Sequence, residues 1–557
     1  MMIGRRNLLA LGAASTATAL LPAWARSASA APAAQALSGE DISLTVGHAP
    51  ITVDGREGHA VAINGTVPGP LIRLKQGQNV RIAVTNTLDE ETSIHWHGVL
   101  TPSHMDGVPG LSFPGIKPGE TFVYEFTVKQ AGTYWYHSHS GVQELIGHYA
   151  PMIIEPAGGE PAAFDREHVV MLSDYSFLHP HEIIARLKQQ AGYFNRQKQT
   201  VAGLLAGKDQ PLSQRLDWAK MRMDPTDILD VTGSAYTYLV NGQGPNDNWT
   251  GLFTPGERVR LRFINAGAMT IFNVRIPGLP MTVVQADGQD VVPIEVDEFQ
   301  VANAETFDVI VRPSDRAYAL VAEAADSSGM ARGTLSPRPG VAAAAPPLRA
   351  RPILTMRDMG MDMSGMAGMD MDMSMRNPQH ATQVKLGPGV QMIAPMPLDR
   401  TGDRGTGLDQ VPGRVLIYRD LEALRPNPDP RPFTRQLEIH LTGNMDRFMW
   451  SFDGESFSEI VKPIPFRRDE RVRVTLVNDT MMNHPIHLHG HFVELVNGKA
   501  ADRQPRKHTV NVMPGGKLTF DLTADAPGDW AFHCHMLLHM HAGMFRVVTV
   551  RPLDGAA

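Results

Sequence analysis

Three stretches of this 557-residue chain alternate apolar and polar side chains after a turn, and each closes on asparagine: residues 77–86, 256–265 and 469–478. A period of two puts successive side chains on opposite faces of a strand, one buried and one outward. The likeness of the three stretches predicts three copies of one β-domain. Nine and eleven residues after Asn86 stand His95 and His97, and the same offsets from Asn478 give His487 and His489. From Asn265 they give Val274 and Ile276, so the middle copy has no metal ligand at these positions.

A second repeat aligns residues 132–139 with residues 528–535, bringing His137 and His139 opposite His533 and His535 and putting Ser138 where Cys534 stands. Cys534 is the only cysteine, with His539 five residues on and Met544 ten residues on. A thiolate, an imidazole and a weak thioether are three of the four ligands of a blue-copper site, and one more histidine completes it. On a strand, His533 and His535 point away from the face that carries Cys534, so they must serve another centre. In the first copy the offset of His484 gives Thr92 and that of His539 gives Gln143, so no thiolate site can form there. A lone His-x-His pair is most often structural. Here the clusters 95–97, 137–139, 484–489 and 533–539 hold ten of the 22 histidines and the sole thiol.

With these four motifs the chain resembles the multicopper oxidases over nearly its whole length. The resemblance implies an all-β protein of three cupredoxin-like Greek-key β-sandwich domains and four Cu ions. It implies that His95 and His487 hold a type 2 copper, that His97, His137, His139, His489, His533 and His535 hold a type 3 pair, and that His484, Cys534, His539 and Met544 hold type 1. Eight neutral imidazoles suit such a three-copper cluster. Substrate then gives single electrons to type 1, the short covalent path from Cys534 to its neighbours carries them on, and dioxygen is reduced by four electrons to water. Asp106, in Met105-Asp106-Gly107, stands where the family has an acidic residue beside the cluster, which implies a proton relay; Asp-Gly is also an ordinary turn pair. Where relatives often carry an acid within two positions of His539, this chain has Met540 and His541, which leaves a second proton path unassigned.

Composition fits an exported metalloprotein: 43% apolar residues with 42 Pro and 51 Gly suit loop-rich sandwiches, and a net charge of −7 offers no basic field for nucleic acid. Arg5 and Arg6 before a short apolar run read as a Tat export signal over residues 1–30, leaving no stable membrane span after its removal and placing the protein in the periplasm. With one cysteine there is no intramolecular disulfide. The domains are expected at 31–160, 161–347 with a helical insertion at about 180–230, and 414–557, with a linker at 348–413.

The linker holds nine methionines in the twenty residues 356–375, spaced by Asp, Gly and Ser in a way that cannot form a core stripe. Thioethers favour Cu(I), which makes Met361, Met363, Met371 and Met373 candidate substrate ligands, with a flexible linker as the alternative. Met481 and Met482, beside His484 and near Asp479, are further candidates, with a core role as the alternative. The export signal, the methionine-rich insert and the form of residues 478–490 most resemble the periplasmic copper-resistance protein A branch. That resemblance implies oxidation of Cu(I), accompanied by laccase-like oxidation of phenols; a laccase acting mainly on phenols and a copper-storage protein are the alternatives. The remaining histidines, among them His48, His59, His104, His148, His179, His440, His491, His508 and His541, are expected to face solvent or serve structure.

Overall fold

The computed structural model describes residues 36–361, 375–460 and 462–552. The expected export signal, together with Met363, Met371 and Met373, lies outside them. Among the described residues no helix is long and apolar enough to cross a membrane.

The described chain is mostly strand and folds into three successive β-sandwiches. In the first, the sheet Leu37–Ser38, Ile72–Lys75, Tyr149–Glu155, Gly132–His137, His95–His97 faces the sheet Arg56–Ile63, Asp41–Val53, Asn79–Asn86, Thr121–Thr127. In the third, the strands Ile464–Arg467, Phe545–Arg551, Gly528–Cys534, His484–Leu488 and Thr509–Val512 form the sheet equivalent to the histidine-bearing one. The neighbours in each sheet are out of sequence order, as crossover connections between two sheets require. The register is equivalent in the two histidine-bearing sandwiches: His95 pairs with His137, and His487 with His533.

The asparagine that closes each alternating strand explains why the repeat is built this way. Asn86, Asn265 and Asn478 are wholly buried. Each side-chain amide donates to a carbonyl just downstream and to one on a returning loop: Glu90 and Ile116, Thr270 and Val301, Met482 and Val512. Each side-chain oxygen accepts the N–H two residues on, from Leu88, Gly267 and Thr480. One residue type thus satisfies three buried backbone groups and fixes the loop that leads into the ligand-bearing strand.

Alternation means something different in the middle copy. Every residue of the strand Val259–Asn265 is buried, because its polar face is covered by the first sandwich rather than by water. Arg260 and Arg262 both donate to Asp308, and Arg262 also reaches Thr133 of the first sandwich. Buried guanidinium groups persist only with such partners.

The insertion contains the helices Pro180–Gln189, Val201–Leu205 and Leu212–Met221. Ile183, Ile184 and Leu187 bury one face of the first helix, and Trp218 anchors the last. The segment read as a linker is largely packed where it is described: Leu354, Met359 and Ile393 are buried, and Leu398–Asp399 pairs with Gly516–Lys517 of the third sandwich. Met361, expected among polar neighbours, is a core residue, because the chain there turns inward after a capped helical turn at Met356–Met359.

Replacing Asn265, which lies in the copy without ligands, by alanine strands three buried backbone groups. The expected loss is about 2–3 kcal/mol of stability, read by denaturant unfolding. A loss under about 0.5 kcal/mol, the level of an ordinary surface change, would remove the pinning role.

Candidate metal centres

Nine imidazoles meet where the first and third sandwiches face each other. His95 and His489 rings lie 3.9 Å apart by centroid and His97 and His487 4.0 Å, while the Nε2 atoms of His139 and His489 lie 3.3 and 3.0 Å from that of His533. Ligand atoms of several triplets, including His95, His97 and His137, His95, His487 and His489, and His139, His489 and His533, fall within 4.8 Å of one another. Five of the rings have their outward nitrogen held. Nδ1–H donates to a carbonyl in His95 (Asp106), His137 (Ser138), His487 (His508) and His533 (Cys534), and in His489 to the Asp106 carboxylate at 2.7 Å. The Nε2 atoms of His95, His137, His487 and His535 are buried and have no hydrogen-bond partner. Lone pairs stripped of water and aimed at a common centre are costly unless a cation takes them, so the donor set fits metal ions. Burial, followed by neighbouring imidazoles, holds His97, His137, His139, His487 and His489 well below the usual histidine pKa, and burial brings His533 down to about 4. They are neutral at physiological pH, the form that binds metal.

The thiolate site lies on the opposite face of the strand Gly528–Cys534. Cys534 Sγ is 3.6 Å from His484 Nδ1 and 3.8 Å from His539 Nδ1, and these nitrogens are 3.3 Å apart. Burial pushes the Cys534 thiol pKa far up, so the thiolate forms when a soft cation binds the sulfur and displaces the proton, which leaves to solvent. Met544 is fully buried and its carbonyl accepts the Cys534 N–H, while its own N–H donates to the His539 carbonyl. The outer nitrogens are also held: His484 Nε2 lies 2.8 Å from the Thr480 hydroxyl and His539 Nε2 2.7 Å from the Asp230 carboxylate. Trp450 stacks on the His539 ring at 3.9 Å.

The first sandwich repeats this geometry without metal chemistry. Ser138 N–H donates to the His148 carbonyl and His148 N–H to that of Gln143, matching Cys534, Met544 and His539. At the ligand positions the Gln143 side-chain oxygen accepts from the hydroxyls of Thr92 and Ser138. A hydrogen-bonded polar cluster takes the place of a copper site, with His148 Nε2 left without a partner.

The structure brings together His95, His97, His137, His139, His487, His489, His533 and His535 in one cluster, and His484, Cys534 and His539 in the other. Asp106 lies between the two domains, its backbone carbonyl on His95 and its carboxylate on His489. Gly107 follows with φ +80°, and a Cβ there would stand 1.8 Å from the Ile94 carbonyl oxygen, so glycine is what lets the Asp106 loop lie against the His95 strand. Met481 and Met482 are each 1% exposed, so they are core rather than a surface approach. Asp479 is likewise buried, held by His440 Nδ1–H at 2.7 Å and by the Ala394 N–H.

Sequence reasoning missed three residues. His508, expected to be structural or solvent-facing, is the ninth imidazole: its Nδ1 is 3.1 Å from His97 Nε2, and no motif marks it. Glu144 lies 2.8 Å from His137 Nδ1 and 4.0 Å from His535 Nδ1, and burial raises its pKa well above the carboxylate range. The repeat did contain its signal, since the alignment of Gln143 with His539 puts Glu144 opposite Met540. The acid absent after His539 stands in the first domain. Asp230 comes from the end of the helical insertion, 309 residues from its partner, and no local pattern could reveal it.

Asp230→Asn removes an anion from the outer nitrogen of a ligand imidazole. In the copper-loaded protein the thiolate-site potential is expected to rise by about 60 mV, one tenfold step for a one-electron couple. An unchanged potential in a redox titration would leave Asp230 as packing only.

Models of the multicopper oxidase family match residues 45–159, 181–339 and 430–554. The chain is 47% identical to copper resistance protein A of Escherichia coli, with 94% of this chain and 95% of the relative aligned, and 47% identical to that of Pseudomonas syringae pv. tomato, with 95% of each. Among solved structures it is similar to the laccase of Botrytis aclada (TM-score 0.63, 22% identity, 92% and 88% of the two chains) and to Fet3p, a multicopper oxidase that functions in iron import (0.64, 20%, 92% and 90%). Those likenesses show the fold, three cupredoxin-like domains. An oxidase scaffold of three such sandwiches with two copper-ready donor sets, and a relative matching it end to end at nearly half of all positions, make this chain a member of the multicopper oxidase family.

Proposed function

We propose that the protein is a periplasmic cuprous oxidase in copper resistance, holding four copper ions in the type 1, type 2 and type 3 assignment given above. Bound copper supplies one-electron oxidation at the thiolate site and dioxygen reduction at the imidazole cluster. The observation that carries the choice of substrate is the cover over the thiolate site. Both its imidazoles are wholly buried, and the outer edge of His539 faces a carboxylate instead of an apolar pocket. Burial raises Asp230 to about 7 and, with Asp230 beside it, lifts Asp227 well above the carboxylate range; Asp227 Oδ1 has no hydrogen-bond partner. Buried acids of this kind gain more from a cation than from a phenol, which offers a single hydroxyl donor on an apolar ring. Location rests on the twin-arginine leader, and the copper-resistance role on the names of the two relatives.

The residues around the imidazole cluster divide the remaining work. Asp106 holds His489 through Oδ2 and keeps a buried Oδ1 without a hydrogen-bond partner, where a proton can be held. Glu144 orients His137 and stands near His535. Trp135 stacks on His137 at 4.2 Å and keeps that side dry.

An oxygen electrode with Cu(I) as sole reductant tests the reading: uptake with Cu(I) is expected to exceed uptake with a phenol. Leucine at Met363, Met366, Met369, Met371 and Met373, leaving the core residues Met359 and Met361, is expected to slow only the Cu(I) reaction at limiting copper, because leucine keeps volume and loses the thioether. Faster turnover of the phenol would make the protein a laccase. Many bound coppers without steady oxygen uptake would make it a store.

Asp106→Asn keeps an acceptor for His489 Nδ1 and loses the exchangeable proton. Reduction of the thiolate site by substrate is expected to be unchanged and reoxidation by dioxygen to slow about 100-fold in single-turnover kinetics. Unchanged reoxidation would reduce Asp106 to a positioning role.

A further inference from the structure

Away from the copper machinery, exposed histidines converge where the first two sandwiches touch. His48 and His59 sit on the paired strands Asp41–Val53 and Arg56–Ile63, their rings 4.8 Å apart and His59 Nε2 3.1 Å from His48 Nδ1. Two imidazole nitrogens bound to one ion at about 2.0–2.1 Å, at angles between square-planar and tetrahedral, stand about 2.8–3.4 Å apart. The observed spacing is that of neighbouring ligands. Beside His48, the exposed Asp89 carboxylate stands 3.5 Å from Nε2 and adds negative charge to this corner.

The second domain packs against this corner. Tyr175 donates its hydroxyl to the His59 carbonyl at 2.9 Å, and the Arg56 guanidinium lies over the Phe177 ring at 3.9 Å, which ties this corner of the first sandwich to the strand Arg166–Ser176. The chain then runs directly to His179, at the N-terminus of the helix Pro180–Gln189. There Nδ1 accepts the His181 N–H as the helix cap. Partial burial, then His48, then His179 lower the His59 pKa, which favours the neutral, ligating form.

We propose that His48 and His59, with the Asp89 carboxylate beside them, form a surface Cu(II) site separate from the two buried centres. Imidazole with carboxylate suits Cu(II), the first-row divalent ion such donors bind most tightly, whereas Cu(I) prefers the thioethers found elsewhere in the chain. The site does not depend on the cuprous reading. If that reading holds, the site takes the ion the enzyme makes.

The test is titration of the fully copper-loaded enzyme with Cu(II), followed by the difference electron paramagnetic resonance spectrum. About one further equivalent with nitrogen superhyperfine structure is expected. His59→Gln and His48→Gln are each expected to weaken it at least about tenfold, and Asp89→Asn about tenfold, with the blue absorption and oxygen uptake unchanged as the control for folding. No further equivalent in the parent enzyme, or equal affinity in both glutamine variants, would leave a hydrogen-bonded pair of surface histidines only and overturn the proposal. Loss of phenol and Cu(I) turnover in the parent would sink the oxidase reading without touching this one.

Discussion

The structure depends on one constraint: a group of neutral imidazoles must be kept dry with their lone pairs facing one another. Water would satisfy those nitrogens, and protonation would make them repel, so the fold has to exclude both. It does so by fixing the far side of five of the rings. Carbonyls of Asp106, Ser138, His508 and Cys534 take the Nδ1 protons, and the Asp106 carboxylate takes that of His489. What remains inside is a set of unpaired Nε2 atoms whose desolvation cost a bound cation offsets.

The middle sandwich contributes no ligand to the cluster and yet holds it in register. Lys507 is fully buried and pairs with Asp287 and Glu305 of the second domain, each at 3.0 Å. The same Asp287 carboxylate accepts the N–H groups of His508 and Thr509. That segment offers the carbonyl that orients His487 and starts the strand that pairs with His484–Leu488. Breaking a buried pair of this sort strands a charge and costs about 3–5 kcal/mol. The second domain also supplies Asp230 to the thiolate site, so it braces both centres.

Duplication followed by divergence is visible at the level of hydrogen bonds. The backbone of Ser138, Gln143 and His148 repeats that of Cys534, His539 and Met544, while the side chains have become a neutral polar network. The scaffold is kept, and the four ligand positions carry Thr92, Ser138, Gln143 and His148 in place of His484, Cys534, His539 and Met544. Glu144 has gone the other way, supplying from the first domain the acid that the third lacks.

Periodicity and spacing alone carried the three β-domains, the paired His-x-His motifs, the single thiolate and the absence of ligands in the middle copy. Each of those is encoded within about a dozen residues, and strand alternation assigns faces without any knowledge of partners. Tertiary structure decided the rest. Asp230 reaches its centre from 309 positions away, a separation no local pattern records, and His508, though 21 residues from His487, belongs to no repeated motif. Met481, Met482 and Met361 were legible as sulfur ligands by composition, but their side chains face the core, because burial depends on what packs over a segment and not on its own sequence. The arginines of the middle strand looked outward for the same reason: only the docked first sandwich turns that face into an interior.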